Sequence, residues 1–426
     1  MKFTRNALAV IIILVLAQLA CNAPTLQQLD QAARTPTPAA ESGKVQQTET
    51  EQIGEAPDIE WFQPPEEMLV NWKIVPDDDN GLMVSLVPAY LDGSPPETNK
   101  LLFLYTKAHP LFDHATNQVL SVFIDRDIPV EATVILAEDE QSGQDALSYA
   151  EANQFDLIFS MGSDASAYLH ENYRGGQIPC VTLLSKDPVL LGQMPDYESG
   201  SGTNIAYTSV GVPADLQMRY FQELVPDLQN IVILYAQENA SAVKTQVEPL
   251  DGYAQSAGMN MIHVAVLNNE DPQKTQAELE IKLSDAVSEI ERIDPEIEES
   301  IIVITSSSSI VNVFETVDSL ANRIPVVSLF PDLVRSGDVT AVLSVGVSFD
   351  SNSLLAALYG VRILQGESSP GELPVGVITP PDIAISFAKM REIDLKIPFA
   401  FFESATFIYD PDGVLVREQG QPVEQP

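Results

Sequence analysis

The residues of this chain with reactive or binding side chains stand singly, just past the ends of apolar runs. Thr106 and His109 follow Leu101–Tyr105, Gly162 and Ser163 follow Phe155–Met161, and Ser185 and Asp187 follow Ile178–Leu184. Glu238 and Ser241 come after Ile231–Tyr235. Thr305, Ser306 and Ser307 close the run from Ile301, and Asp332 comes after Pro325–Leu329. Hydroxyls and backbone amides at such places hold a carboxylate without any arginine, above all at helix N-termini. An acidic residue there can hold an ammonium group through a charge-assisted bond. A ligand that carries both charges needs both kinds of partner. Plainer roles stay open for several of these residues. Ser306–Ser309 suit the capping of a helix starting near Ile310. His109 precedes Pro110 and can simply shape its loop, and Asp332 follows Pro331 as a turn residue would. Tyr105, Tyr235 and Phe330 suit aromatic walls of a site or positions in the core.

Signals for chemistry are poor. The sequence holds no G-x-S-x-G, H-E-x-x-H or Walker pattern, and its four histidines are not at metal-ligand spacing. Asp77-Asp78-Asp79-Asn80-Gly81 is half a calcium loop. Its glycine comes one place early and no later ligands follow, so it reads as an ordinary loop. No enzyme activity, metal or cofactor is expected. The net charge of −39 makes nucleic acid a poor partner.

The elements that carry these residues alternate. From Lys100 the chain reads strand, helix, strand through the runs near 101–105, 133–136, 155–161 and 179–184, with helices between them. The pattern restarts after Thr208 with a helix from Pro213, and strands at 231–235, 261–266, 301–305 and 325–329 follow. On that helix Leu216, Tyr220, Phe221, Leu224 and Val225 are read as one apolar face. Continuous apolar strands alternating with helices argue for parallel sheets covered on both sides. In open sheets of this kind ligands bind beyond the carboxyl ends of the strands. Val339–Gly366 again reads strand then helix. Asp410-Pro411-Asp412-Gly413 marks a hairpin turn between two late strands.

Gly202–Val266 is the richest stretch. It gives a short strand, a helix ending in L-V-P-D, the strand N-I-V-I-L-Y, a polar loop, a second helix ending in S-A-G-M-N, and another strand. The openings L-L-F-L-Y-T-K-A-H-P-L-F-D, F-D-L-I-F-S-M-G-S and I-P-C-V-T-L-L-S-K-D-P-V, and the closing R-E-I-D-L-K-I-P, stand in order around it. Residues 100 to 398 thereby resemble the ABC-transporter substrate-binding proteins of the periplasmic binding protein type 1 class, in particular the tryptophan and tyrosine subgroup. The chain departs from that pattern at Ala236–Asn239, where the family has Asn-Pro, at Thr305–Ser309, and at Asp394, where it has glycine. The resemblance implies an α/β fold of two Rossmann-like lobes with parallel sheets, joined by a three-segment hinge. Lobe 1 is expected at 100–207 and 338–370, and lobe 2 at 208–337 and 371–400. The resemblance also implies capture of a small ligand, an amino acid or similar compound, for an ABC permease in the membrane. The alternative is a sensor module that presents its closed form to a signalling partner. A monomer is expected.

The ends complete the expectation. Lys2 and Arg5 precede the short apolar core Ala7–Leu16, as in an export signal over residues 1–20. Leu19-Ala20-Cys21 resembles a bacterial lipobox, although Gln18 is unusual there. An ordinary signal with a chance cysteine is the alternative. Cys21 is the expected lipidated residue, holding an exported protein on the bilayer at the cell surface or in the periplasm. The other cysteine, Cys180, is expected to be a buried small hydrophobe. Residues 21–57 are rich in Gln, Thr, Pro, Ala and Glu and read as a tether. Residues 58–99, with both tryptophans, form an extension expected to pack on the body. Residues 401–426 form a hairpin and tail.

Overall fold

The computed structural model describes residues 59–423, apart from 78–79, 90–97, 268–271, 397 and 399. The expected signal, Cys21 and the tether lie outside the described residues. So does part of the Asp77–Gly81 loop, where Asp77 Oδ1 accepts the Asn80 amide at 2.8 Å.

The first lobe begins with α1 (Glu66–Asn71), β1 (Trp72–Pro76) and β2 (Met83–Pro88). It continues through β3 (Asn99–Tyr105), α2 (Pro110–Asp125), β4 (Val130–Leu136), α3 (Glu140–Ala152), β5 (Leu157–Met161), α4 (Gly162–Asn172), β6 (Cys180–Leu183) and β7 (Ile205–Ala206). These strands form one sheet in the order β1-β2-β4-β3-β5-β6-β7. From β4 to β7 it is parallel, and β1 and β2 extend its edge as an antiparallel hairpin. Residues from 59 onward are therefore part of this lobe. Trp72, Phe62 and Met68 are buried in the same apolar cluster as Phe103, Phe123 and Phe159.

After the crossing strand β8 (Thr208–Ser209), the second lobe holds α5 (Ala214–Leu224), β9 (Asn230–Ala236), α6 (Ala240–Ala242), a π-helical turn over Val243–Val247, α7 (Glu248–Ala257), β10 (Asn260–Val266), α8 (Pro272–Ile293) and β11 (Ser300–Ile304). Then come α9 (Ser308–Val311), α10 (Phe314–Leu320), β12 (Val326–Ser328), a 3-10 turn at Pro331–Leu333, and β13 (Leu343–Gly346). After α11 (Phe349–Leu364) and β14 (Gly376–Val377), the chain completes this lobe with β15 (Asp382–Ser386), α12 (Phe387–Glu392), α13 (Ala400–Ser404), β16 (Phe407–Tyr409), β17 (Leu415–Glu418) and β18 (Gln421–Pro422). The sheet order is β10-β9-β11-β12-β13-β15-β16-β17-β18. Its first five strands are parallel. Gly258 ends α7 at φ +73°, the left-handed cap that glycine adopts without strain. On α5 the buried stripe is Gln217, Met218, Phe221 and Leu224. Leu216 and Tyr220 lie at its border.

The lobe boundaries differ from those read off the sequence. A return to lobe 1 at 338 places a strand in the wrong sheet. β13 pairs with β12 and β15, and buries Leu343 and Val345 in the second core. Only α11 crosses back, where Ala356, Ala357, Tyr359 and Val361 join the first core. Leu373 and Val375 still pack with lobe 1, so the last crossing follows β14 rather than residue 370. The chain thus crosses three times, near 207–213, 347–348 and 378–381. The crossings are laced together. β8 pairs with β14, and the Ser348 amide donates to Asp382 Oδ2 at 2.8 Å. Buried Asn352 accepts the Leu184 amide at 2.8 Å and donates toward Thr208 Oγ1 and Ser209 O, each at 3.3 Å.

Candidate functional site

The carboxyl ends of β3, β5, β6, β9, β11 and β12, with residues from α2, α9 and α11, enclose a cavity of about 250 Å³ between the lobes. Lobe 1 supplies Lys107, His109, Phe112, Gly162, Ser163, Asp164, Leu184 and Lys186. Lobe 2 supplies Glu238, Asn239, Ser241, Ser306 and Phe330.

In the loop after β3, His109 caps α2. Its Nδ1 accepts the Leu111 amide at 3.2 Å, which leaves the ring proton on Nε2. Burial, then the Lys107 charge, holds its pKa below the usual histidine range. The β5–α4 junction needs glycine. Gly162 has φ +83°, and a Cβ there would stand 3.0 Å from the Phe112 ring. The first-turn amides of α4 receive no side-chain cap, and Gly162, Ser163 and Asp164 all line the cavity. Asp164 sits 3.6 Å from the Lys107 ammonium, a partly exposed pair.

After β6 the backbone turns abruptly. Leu184 takes φ +56°, a costly conformation for leucine, held by the bond from its amide to Asn352. The next amide but one, that of Lys186, donates to Ser163 Oγ at 3.0 Å. Lys186 lines the cavity with its pKa lowered to about 8. Surrounding protein is the main cause and Lys107 adds to it, while Asp164 acts the other way.

Lobe 2 closes the other side with loops held by residues of the same lobe. Asn239 Oδ1 accepts the Ala242 amide at 3.1 Å and the Ser241 hydroxyl at 2.9 Å. Gln246, in the π-helical turn, grips Ser306 twice, donating to its Oγ at 2.8 Å and accepting its amide at 3.0 Å. Phe330 and Phe349 pack with ring centroids 4.8 Å apart.

Six residues expected from the sequence stand on the cavity wall: His109, Gly162, Ser163, Glu238, Ser241 and Ser306. Six do not. Asp187 is buried, accepts the amides of Val189 and Leu190, and takes the Tyr197 hydroxyl. Ser185 is buried beside it. Thr305 bridges to Leu234 O at 3.0 Å and to Ser307 Oγ at 3.1 Å. Ser307 precedes α9 without a side-chain capping bond. Thr106 Oγ1 is buried with no partner. Asp332 does not line the cavity. The protein around it, then the Asp350 charge, raises its carboxyl to about 6. Sequence reasoning missed Lys107, Asp164, Lys186, Phe112 and Phe349. Of the aromatic candidates, Phe330 lines the cavity. Tyr105 is buried against Thr116, and Tyr235 packs on His263. Among the described residues no group of three His, Cys, Asp or Glu side chains could hold a metal. Cys180 is buried and free.

Fold and cleft together define a two-lobed ligand-binding protein of the periplasmic binding protein type 1 class. A conserved domain protein from Vibrio cholerae superposes with TM-score 0.57 at 18% identity, over 73% of this chain and 100% of its own. An ABC domain in complex with L-Trp from Streptococcus pneumonia gives 0.56 at 19%, over 73% and 100%. The ligand-free, open CD0873 of Clostridium difficile, a substrate-binding protein with adhesive properties, gives 0.56 at 19%, over 74% and 99%. The family model for ABC transporter substrate binding proteins matches residues 137–407, and this chain belongs to that family. Its members are extracytoplasmic, non-enzymatic proteins that bind small ligands and interact with ABC permeases. No curated protein sequence matches the chain. No helix among the described residues is long and apolar enough to cross a membrane.

Proposed function

We propose that this protein is a lipid-anchored receptor of an ABC importer that traps an amino acid with an apolar or aromatic side chain. The observation that carries the reading is the cavity itself. Its volume of about 250 Å³ suits a ligand of that size, and Phe112, Phe330 and Phe349 supply apolar walls beside a few polar groups. Both lobes contribute, so hinge closure about the three crossings would sequester the ligand. The laced crossings support a motion of whole lobes. Thermal shift with the proteinogenic L-amino acids, tryptophan, tyrosine and phenylalanine first, tests the ligand class. A ligand at 100 times its dissociation constant stabilises the folded chain by about 2.7 kcal/mol. A flat response to every amino acid sinks the reading.

Anchoring through Cys21 is tested separately. The variant Cys21→Ser is expected in the soluble fraction of cells that express it. Retention on membranes would place the anchor elsewhere.

A further inference from the structure

We propose that the cleft holds its ligand in one fixed polarity, with the ligand carboxylate on Lys186 of lobe 1 and the ligand ammonium on Glu238 of lobe 2. The inference rests on the amino-acid reading and adds which wall takes which charge.

Of the four charged side chains on this cavity wall, Lys107 and Asp164 pair with each other, while Lys186 of lobe 1 and Glu238 of lobe 2 make no side-chain hydrogen bond or ion pair among the described residues. The other charged groups are committed. Lys107 faces Asp164, and His109 spends Nδ1 on its helix and stays neutral. Ser241 donates its hydroxyl to Asn239, whereas Ser163 and Ser306 accept from the Lys186 amide and from Gln246 and keep their own O–H as neutral donors. A lysine and a glutamate in contact would pair. Here each waits for a counter-charge from something between them. Lys186 is the group crowded by protein, so a carboxylate that binds there replaces lost hydration with a charge-assisted bond. The uncapped start of α4 adds favourable dipole on the same wall. The Lys186 loop is also prebuilt. Ser163 fixes the Lys186 amide and Asn352 fixes that of Leu184, so little ordering is needed when a carboxylate arrives. Glu238 lies on an exposed loop ahead of α6 and meets the ammonium as lobe 2 closes.

The test uses the full chain and three probes: L-tryptophan, tryptamine, which lacks the carboxylate, and indole-3-propionate, which lacks the ammonium. If phenylalanine binds better, L-phenylalanine, phenethylamine and 3-phenylpropionate replace them. Binding is read by calorimetric titration. Each truncated probe should bind the unaltered protein about ten- to a hundredfold more weakly than the amino acid. Lys186→Met should cost L-tryptophan about the same factor while leaving tryptamine little changed. Glu238→Gln should do the reverse, sparing indole-3-propionate. Lys186→Arg should keep most of the affinity for L-tryptophan, and the melting temperatures of the empty variants report folding. If Lys186→Met folds and binds L-tryptophan as before, or weakens tryptamine equally, the polarity is overturned and the amino-acid reading survives. If the unaltered protein binds no amino acid at millimolar concentration, both fall.

Discussion

The two cleft walls are built by different means. On lobe 1 the lining loop is pinned partly by the crossing helix, Leu184 by Asn352, and partly by the neighbouring loop, Lys186 by Ser163. On lobe 2 every pin comes from within that lobe: Asn239 holds Ala242 and Ser241, and Gln246 reaches across to Ser306. Charge follows the same division. Lobe 1 carries Lys107, Lys186 and Asp164, and lobe 2 carries Glu238. Lobe 1 thus presents a preformed receptor surface whose shape depends on the crossings. Lobe 2 presents a self-contained flap that keeps its shape wherever the hinge leaves it.

The sharpest break of this contrast strikes the lobe 1 core. Trp72, 2% exposed, belongs to the N-terminal hairpin yet packs in that core. Trp72→Ala should cost about 3–5 kcal/mol in urea unfolding. A chain starting at residue 58 should unfold like the full one. An equal loss in both would show that upstream residues belong to the body.

Next in size is pH. Asp113 is 1% exposed, and burial raises its carboxyl to about 7 although its Oδ2 accepts the Gln63 amide. A folded pKa above the unfolded one gives stability that is full below about pH 4 and lost as pH rises through about 7, on the order of 4 kcal/mol. Asp294 in lobe 2 has the opposite sign. Burial opposes its charge, but Ser300 and the amides of Glu299, Glu298 and Ile297 hold its pKa below the usual value. Its contribution is present at neutral pH and fades as pH falls through its folded pKa. Asp113→Asn should therefore flatten the loss between pH 4 and 7, whereas Asp294→Asn should destabilise at pH 7 and change little near pH 3. Parallel pH profiles for both variants would erase the distinction.

A smaller effect is expected at the crossings. Asn352→Leu strands the Leu184 amide in the core, costing about 1–3 kcal/mol, and loosens the Lys186 loop. Melting temperature and ligand affinity should fall together. The smallest effect belongs to lobe 2: Ser306→Ala removes one hydroxyl bond, worth about 1 kcal/mol, with affinity little changed. If Ser306→Ala weakens binding more than Asn352→Leu, the assignment of preformed and self-contained walls is reversed.

Alternation of apolar runs with helices was enough to read the two sheets, because buried parallel strands need no partner information to look continuous. Sheet membership was harder. The apolar run at Leu343–Gly346 fits either sheet, and only its ladder with β12 and β15 decides. The hairpin of β1 and β2 joins lobe 1 through β4, more than forty residues later in the chain. For the cleft, looking past each strand end reached half of the named residues. It passed over Lys186 while choosing both neighbours, Ser185 and Asp187. Strand alternation does not survive Leu184, whose left-handed backbone turns the following residues, and no local pattern announces that turn. Phe112 and Phe349 arrive from helices, which a rule about strand ends does not inspect.

The pairing of β8 with β14, and the bond from Ser348 to Asp382, make the three crossings one ribbon. A ribbon can flex about its long direction, but its members cannot slide past each other. The lobes then keep few degrees of freedom, and every closure should return Lys186 and Glu238 to nearly the same separation. On the proposed polarity the hinge acts as a gauge. It measures the span between the two charges of whatever lies in the cleft, so an α-amino acid and its longer γ-amino isomer would be told apart by the connection between the lobes as much as by any side chain that touches them.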